Sequence, residues 1–177
     1  MGKFTQGELD DINKTISTPV ECLTWAFDNL HPKLAKASSF GAEDAAIIDM
    51  MFNINSDARL FTLETGRLPQ ATFDVIHEVQ KRYNTKIEML YPDEQEVEKM
   101  VKEKGLDCFY DSIDNRKLCC AIRKVHPMNK MLETLDGWIT GLRSDQNVNR
   151  SDAKMLEIDE MHGDCLLYTS PSPRDRG

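Results

Sequence analysis

The feature that most constrains this chain is a repeated alternation of short apolar runs with longer amphipathic segments. Leu34 to Phe40 is a mostly apolar run before a glycine, the pattern of a buried strand, and Ala42 to Asn53 then takes helical spacing. The pair recurs as a strand over Arg59 to Leu63 and a helix over Leu68 to Tyr83. It recurs again as a strand over Lys86 to Tyr91 and a helix over Glu94 to Lys104, stopped by Gly105. Leu118 to Leu135 reads as mainly helical, with Pro127 expected to kink or interrupt it. Trp138 to Gly141 and Met155 to Ile158 read as further strands. Ahead of the series, Thr18 to Leu30 reads as a helix, with Thr18 as its cap, Pro19 at the first helical position and His31-Pro32 at its end. Strands separated by helices cannot pair as hairpins, so the chain is expected to form an α/β fold, a parallel sheet with helices on both faces. In such sheets a ligand lies beyond the carboxyl ends of the strands. That rule singles out Ser38 to Asp44, Glu64 to Leu68 and Gly141 to Arg150.

Composition narrows the function classes. With 30 acidic and 22 basic side chains the net charge is −8, which disfavours a nonspecific nucleic-acid binder but not a small anion held by a few local cations. No apolar run approaches the roughly 20 residues that span a bilayer, and Met1 to Asp11 lacks the layout of a signal peptide, so the expected location is cytoplasmic and away from membranes. Five cysteines, an odd number that includes one adjacent pair, do not form a secreted disulfide framework. Cys22 and Cys108 read as small buried apolar side chains. His31, His77, His126 and His162 are scattered without metal-ligand spacing, which gives no zinc site.

Three segments carry candidate chemistry. Ser38-Ser39-Phe40-Gly41-Ala42-Glu43-Asp44 follows a strand and opens a helix, where small residues and helix N–H groups suit a phosphate. Alone it reads first as an ordinary turn with Asp44 suiting the helix dipole. It lacks a Walker lysine, and it lacks the lysine of the pyrophosphatase-type loop, so a ligand without a pyrophosphate leaving group fits better. Glu64-Thr65-Gly66-Arg67-Leu68 closes the second strand, either as a plain turn or as a nucleotide loop in which Gly66 permits close approach and Arg67 meets an anion. Arg143, Asp145, Gln146 and Arg150 follow the strand at Trp138, and Arg143 and Arg150 suit sulfate or phosphate. In Cys119-Cys120-Ala121-Ile122-Arg123-Lys124, adjacent thiolates can bind neighbouring corners of an iron–sulfur cluster, with Arg123 and Lys124 offsetting their charge. Two buried structural cysteines on a basic helix are the plainer alternative.

Read in order, SSFGAED, LETGRL, CCAIRKVHPM and WITGLRSDQ resemble the adenylyl-sulfate/phosphoadenylyl-sulfate reductase family over about Thr18 to Asp164. The paired cysteines resemble its assimilatory iron–sulfur branch, which acts on adenylyl sulfate. The resemblance implies a Rossmann-like sheet of the adenine-nucleotide α-hydrolase type. Ser38, Ser39, Phe40, Gly41, Glu43 and Asp44 would form the phosphate loop, and Glu64, Thr65, Gly66 and Arg67 the nucleotide loop. Arg143 and Arg150 would bind the phosphosulfate. Cys119 and Cys120 would supply half of a [4Fe–4S] ligand set, with Lys124 beside the cluster.

The implied reaction reduces adenylyl sulfate, with the 3′-phosphorylated form as a second candidate substrate, to sulfite and AMP. A cysteine thiolate forms a thiosulfonate, and thioredoxin or glutaredoxin then releases sulfite. A homo-oligomer is compatible with the family. The rivals are a non-catalytic adenine-nucleotide-binding module and an ATP-using relative such as the small subunit of sulfate adenylyltransferase.

Departures from the family pattern matter. Glu64 stands where the family more often has aspartate. The downstream Cys-x-x-Cys pair and the Cys of the Glu-Cys-Gly-Leu/Ile-His segment are absent, and Cys165 matches neither. Residues 1–164 are expected to be an incomplete reductase domain that lacks the catalytic cysteine, turns nothing over alone and holds no stable cluster. Residues 165–177, CLLYTSPSPRDRG, read as a disordered tail resembling a translated cloning adaptor.

Overall fold

A computed structural model describes residues 4–143, 154–159 and 165–170. Helix α1 (Gln6–Thr15) and helix α2 (Pro19–Leu30) precede the alternating series, and each opens on a capping box, Thr5 with Glu8 and Thr18 with Glu21. The series runs β1 (Leu34–Ala37), α3 (Ala42–Ile54), β2 (Arg59–Leu63), α4 (Gln70–Tyr83), β3 (Glu88–Leu90) and α5 (Glu94–Lys104). It continues through α6 (Ile113–Cys120), α7 (His126–Leu132), β4 (Gly137–Arg143), β5 (Leu156–Asp159) and β6 (Cys165–Ser170). No helix among the described residues is long and apolar enough to cross a membrane.

The sheet order is β3-β2-β1-β4-β6-β5, parallel throughout except for the antiparallel pairing of β5 with β6. The strand alternation sorts the core onto two faces. Leu34 and Ile139 pack with α2 and α3, and Leu60 packs with Ile48 and Ile76 of α3 and α4. Ala35, Phe61 and Trp138 point the other way, onto Met131 and Leu132 of α7. Each fully buried side chain of this size contributes roughly 1.5–3 kcal/mol. The expected α/β fold, with its parallel sheet and helices on both faces, is the observed one.

Three differences have physical causes. β1 ends at Ala37 rather than Phe40, because Phe40 adopts φ 61°, a left-handed conformation that no strand contains. α1 was unforeseen: it buries one apolar side chain completely, Leu9, and so leaves little apolar periodicity to read. The helix expected from Leu118 starts at Ile113, where the Ser112 hydroxyl accepts the Asn115 amide at 3.1 Å. Pro127 interrupts the α-helix, as expected, without ending the helical run. Residues 121–125 form a π-turn in which the His126 amide donates to the Ala121 carbonyl, and this wider turn absorbs the amide that proline lacks.

The segment expected to be a tail begins at Cys165. The backbone of Cys165–Ser170 is a strand between β4 and β5, so the ordered sheet extends past Asp164.

Candidate functional site

The strand order reverses direction between β1 and β4, both carrying connections away from a common crevice. A cleft of about 650 Å³ opens there, beyond the carboxyl ends of β1, β2 and β4. This lies within the range of small-ligand sites.

Its floor is the loop from β1 to α3. The Ser38 amide donates to the Phe61 carbonyl at 3.0 Å, and the Thr62 hydroxyl donates to the Ser38 carbonyl at 2.7 Å, which pins the loop to β2. The Ser38 hydroxyl accepts the Phe40 amide at 3.0 Å. Asp44, almost buried at the start of α3, accepts from the Ser39 amide at 2.8 Å and the Ser39 hydroxyl at 3.2 Å. Its other oxygen meets the ammonium of Lys36 at 2.6 Å, and that ammonium also donates to the Ala37 carbonyl at 2.9 Å. Lys36 is fully buried. Burial opposes charge on Asp44, yet Lys36 and the serine donors hold its carboxyl below the ordinary aspartate range. Burial also pulls the Lys36 pKa down, against the attraction of Asp44. Gly141 of β4 completes the floor: a Cβ there would collide with the Asp44 carboxylate and lie 3.7 Å from the Lys36 nitrogen.

The far wall is the cysteine-bearing helix. Cys119, partly buried, and Cys120, exposed, are both free thiols lining the cleft, together with Arg116, Arg123 and Lys124. Arg123 is 7 % exposed, although arginine is rarely buried without a partner for its charge. Its guanidinium donates to the Thr65 carbonyl at 2.6 Å, while its Nε has no partner among the described residues. Gly66, at φ 74°, makes room for it: a Cβ there would stand 3.1 Å from the guanidinium. Glu64 faces its own turn, with one carboxylate oxygen accepting the Gly66 amide at 2.5 Å and the other unpartnered among the described residues.

Of the residues expected at the site, Ser38, Ser39, Glu43, Asp44, Thr65, Arg67, Cys119, Cys120 and Lys124 line one cleft. Phe40 does not; its ring packs against the core cluster of Ile48, Leu60 and Ile76. Gly41, Glu64 and Gly66 shape the turns behind the lining. Arg67 lines the cleft, but its guanidinium bonds the Leu106 carbonyl at 2.7 Å and Asp107 at 2.8 Å and lies over the Phe109 ring. Its role as an anion ligand is therefore displaced toward organising that loop. Arg143 ends β4, and Asp145, Gln146 and Arg150 lie outside the described residues. Sequence reasoning missed Lys36, Arg116 and Phe109. For Lys36 the available signal was a cation inside an apolar strand, eight residues before an aspartate on the following helix. Cys22 and Cys108 are buried as expected, and burial pushes the Cys22 thiol up to about 12.

The cleft thus gathers Arg116, Arg123 and Lys124, with Arg67 already paired with Asp107, against Glu43 and an Asp44 already paired with Lys36. A chain of charge −8 carries a locally positive pocket, suited to an anion with an apolar portion lying against Leu68, Phe109 and Met128.

Residues 33–168 match the family model described as the phosphoadenosine phosphosulfate reductase domain. Adenosine 5′-phosphosulfate reductase of Burkholderia cepacia is 39 % identical over 133 residues, covering 75 % of this chain and 53 % of that protein. The enzyme of the same name from Allochromatium vinosum is 39 % identical over 127 residues, 72 % of this chain and 50 % of that protein. Chloroplastic 5′-adenylylsulfate reductase 3 of Arabidopsis thaliana is 38 % identical over 144 residues, 81 % of this chain and 31 % of that protein. The chain spans about half the length of the bacterial relatives it matches. The crystal structure of phosphoadenylyl-sulfate reductase from Candida auris in a phosphate complex superposes with a TM-score of 0.76 at 22 % identity, covering 94 % of this chain and 79 % of that one. This last likeness is one of fold.

Proposed function

The chain belongs to the phosphoadenosine phosphosulfate reductase domain family, and from that premise we propose that it forms the nucleotide-binding part of an assimilatory adenylyl-sulfate reductase. The observation that carries the reading is the cleft that joins the Ser38–Asp44 loop, Thr65 and the Cys119–Cys120 helix beside Arg116, Arg123 and Lys124. The phosphosulfate would lie over the Ser38–Asp44 loop, with Arg116, Arg123 and Lys124 facing its sulfate end. Arg143 and Arg150 enter as further phosphosulfate ligands on the family resemblance alone. The adenine would take the apolar side of the cleft.

In the proposed reaction a cysteine thiolate attacks the sulfur of adenylyl sulfate. A sulfur–sulfur bond forms, the sulfur–oxygen bond to the phosphate breaks, and AMP leaves with that electron pair. A thiol of thioredoxin or glutaredoxin then attacks the enzyme sulfur, sulfite departs, and a mixed disulfide remains for the second thiol of the donor to resolve. Four of the five cysteines are not our candidate nucleophile, since Cys22 and Cys108 are buried and Cys119 and Cys120 are assigned to the cluster, and the fifth, Cys165, matches no cysteine of the family pattern. The cations of the cleft bind the substrate and stabilise charge on the departing phosphate.

An iron–sulfur cluster is fitted only in part by these residues. Cys119 and Cys120 are free, adjacent and flanked by cations, as two cluster ligands should be. Among the described residues no group of three or more His, Cys, Asp or Glu side chains is placed to hold a metal.

Calorimetric titration of adenylyl sulfate and AMP into the 177-residue chain tests the reading. Both should bind, and Arg123→Ala should weaken adenylyl sulfate by about tenfold or more, the cost of a lost charge-assisted hydrogen bond of roughly 1.5–3 kcal/mol, and should weaken AMP, which has no sulfate, by less. A folded chain that binds neither nucleotide would overturn it.

A further inference from the structure

Lys36 has no part in the reaction above, yet it is among the largest fully buried side chains of the described residues and it carries an ammonium. A lysine in a strand core costs free energy unless something repays its desolvation. Its position is dictated by strand alternation: Leu34 and Lys36 lie on the α3 face of the sheet, and Asp44 is the acidic residue at the start of α3. The ammonium is bonded to Asp44 at 2.6 Å and to the Ala37 carbonyl at 2.9 Å. Asp44 in turn holds both the amide and the hydroxyl of Ser39. The absent side chain of Gly141 leaves the space in which the pair sits. Lys36 itself does not line the cleft, whereas Ser39 and Asp44 do.

We propose that Lys36 is a positioning residue for anion binding: by neutralising Asp44 beneath the loop, it fixes Ser39 and removes a repulsive charge from the floor of the phosphate site. Two consequences are separable. Without Lys36, an ionised Asp44 repels the incoming phosphate. If Asp44 instead takes up a proton, one of its oxygens becomes a donor and its grip on the two Ser39 donors weakens. Either way the loop amides at the start of α3 lose their fixed aim at the anion.

The inference rests on the nucleotide-binding reading, and the test separates the two. AMP and inorganic phosphate are titrated into the unsubstituted chain, Lys36→Met, and the double variant Lys36→Met/Asp44→Asn, while amide hydrogen exchange is followed at Ser39. Lys36→Met should bind AMP at least tenfold more weakly and exchange the Ser39 amide at least tenfold faster. The double variant removes both charges but keeps an acceptor for Ser39, and should recover at least threefold of the lost affinity. Equal AMP affinity in the unsubstituted chain and Lys36→Met overturns the positioning role and leaves the nucleotide reading intact. A double variant no better than the single one also overturns it, because Lys36 would then act by its own charge. If Lys36→Met does not fold, the unsubstituted protein decides: a Ser39 amide exchanging as fast as an exposed amide would sink the inference. Failure of the unsubstituted chain to bind AMP sinks the underlying reading and the inference with it.

Discussion

At the scale of single residues, burial converts ordinary side chains into pH-sensitive ones. Cys22 sits in the core with its thiol pushed from an ordinary 9.0 up to about 12. Between those values the unfolded chain releases a proton that the folded chain keeps, so the contribution of this residue to stability is complete below pH 9.0 and is lost as pH rises toward about 12. The loss should be about 1.4 kcal/mol per pH unit. Urea titrations of the unsubstituted chain and Cys22→Ala across the alkaline range should therefore converge as pH rises; parallel curves would show that the thiol titrates alike in the folded and unfolded states. Gly141→Ala tests the floor of the cleft. Its new methyl meets the Asp44 carboxylate, and overpacking of this kind costs about 1–3 kcal/mol, with AMP affinity falling as Asp44 shifts. An unchanged melting temperature and unchanged affinity would contradict the close approach. Much of this site was legible residue by residue: Ser38, Asp44, Thr65 and the cysteine pair converge on one cleft. Lys36 was not, because strand periodicity ranks a lysine as exposed and says nothing of the aspartate that satisfies it from another element. Arg67 was legible as a cation at the cleft, but its partners Leu106 and Asp107 lie 39 and 40 residues away in sequence and no local pattern names them.

At the scale of elements, the segments most faithfully foreseen are those with strong local punctuation. β2 and α5 begin and end where the sequence places them, and α2 opens at the Thr18 cap. The helix around Pro127 shows the opposite case. Proline removes one donor from the ladder, but whether the chain breaks or widens depends on neighbours, here Ile122 packed on Met100 and Cys108, and Met131 and Leu132 packed on the sheet. α1 depends on tertiary bonds even more. Asn13 donates to the Leu156 carbonyl at 2.7 Å and accepts the Leu156 amide at 3.0 Å, pairing the helix with the edge of β5. Asn13→Ala should cost about 1–3 kcal/mol, since it strands two backbone groups. The loss should appear as faster hydrogen exchange over Gln6–Thr15 and Leu156, with AMP affinity preserved. Exchange unchanged in both segments would mean that α1 is held without Asn13, by Leu9 with its apolar neighbours and by the Asp10–Lys154 and Gln6–Ile158 contacts.

At the scale of the whole molecule, net charge and local charge point in opposite directions. The chain carries −8, whereas the cleft presents Arg67, Arg116, Arg123 and Lys124. Attraction at an open cleft is screened within about 10 Å at 0.1 M salt, so AMP affinity should fall severalfold between about 0.02 M and 0.5 M sodium chloride. Affinity indifferent to salt would assign recognition to the apolar side of the cleft instead. The topology of the sheet has a separate consequence, for how molecules of this protein treat one another. β6 pairs with β4 on one side and β5 on the other, although β5 precedes it in the chain. Until β6 is inserted, β4 presents a bare row of backbone donors and acceptors, and a second chain's strand can dock there as readily as the chain's own. Deleting residues 165–177 should therefore turn a well-behaved solution into one that self-associates with rising concentration in sedimentation experiments. The strand that arrives last is, on this view, what keeps neighbouring molecules apart.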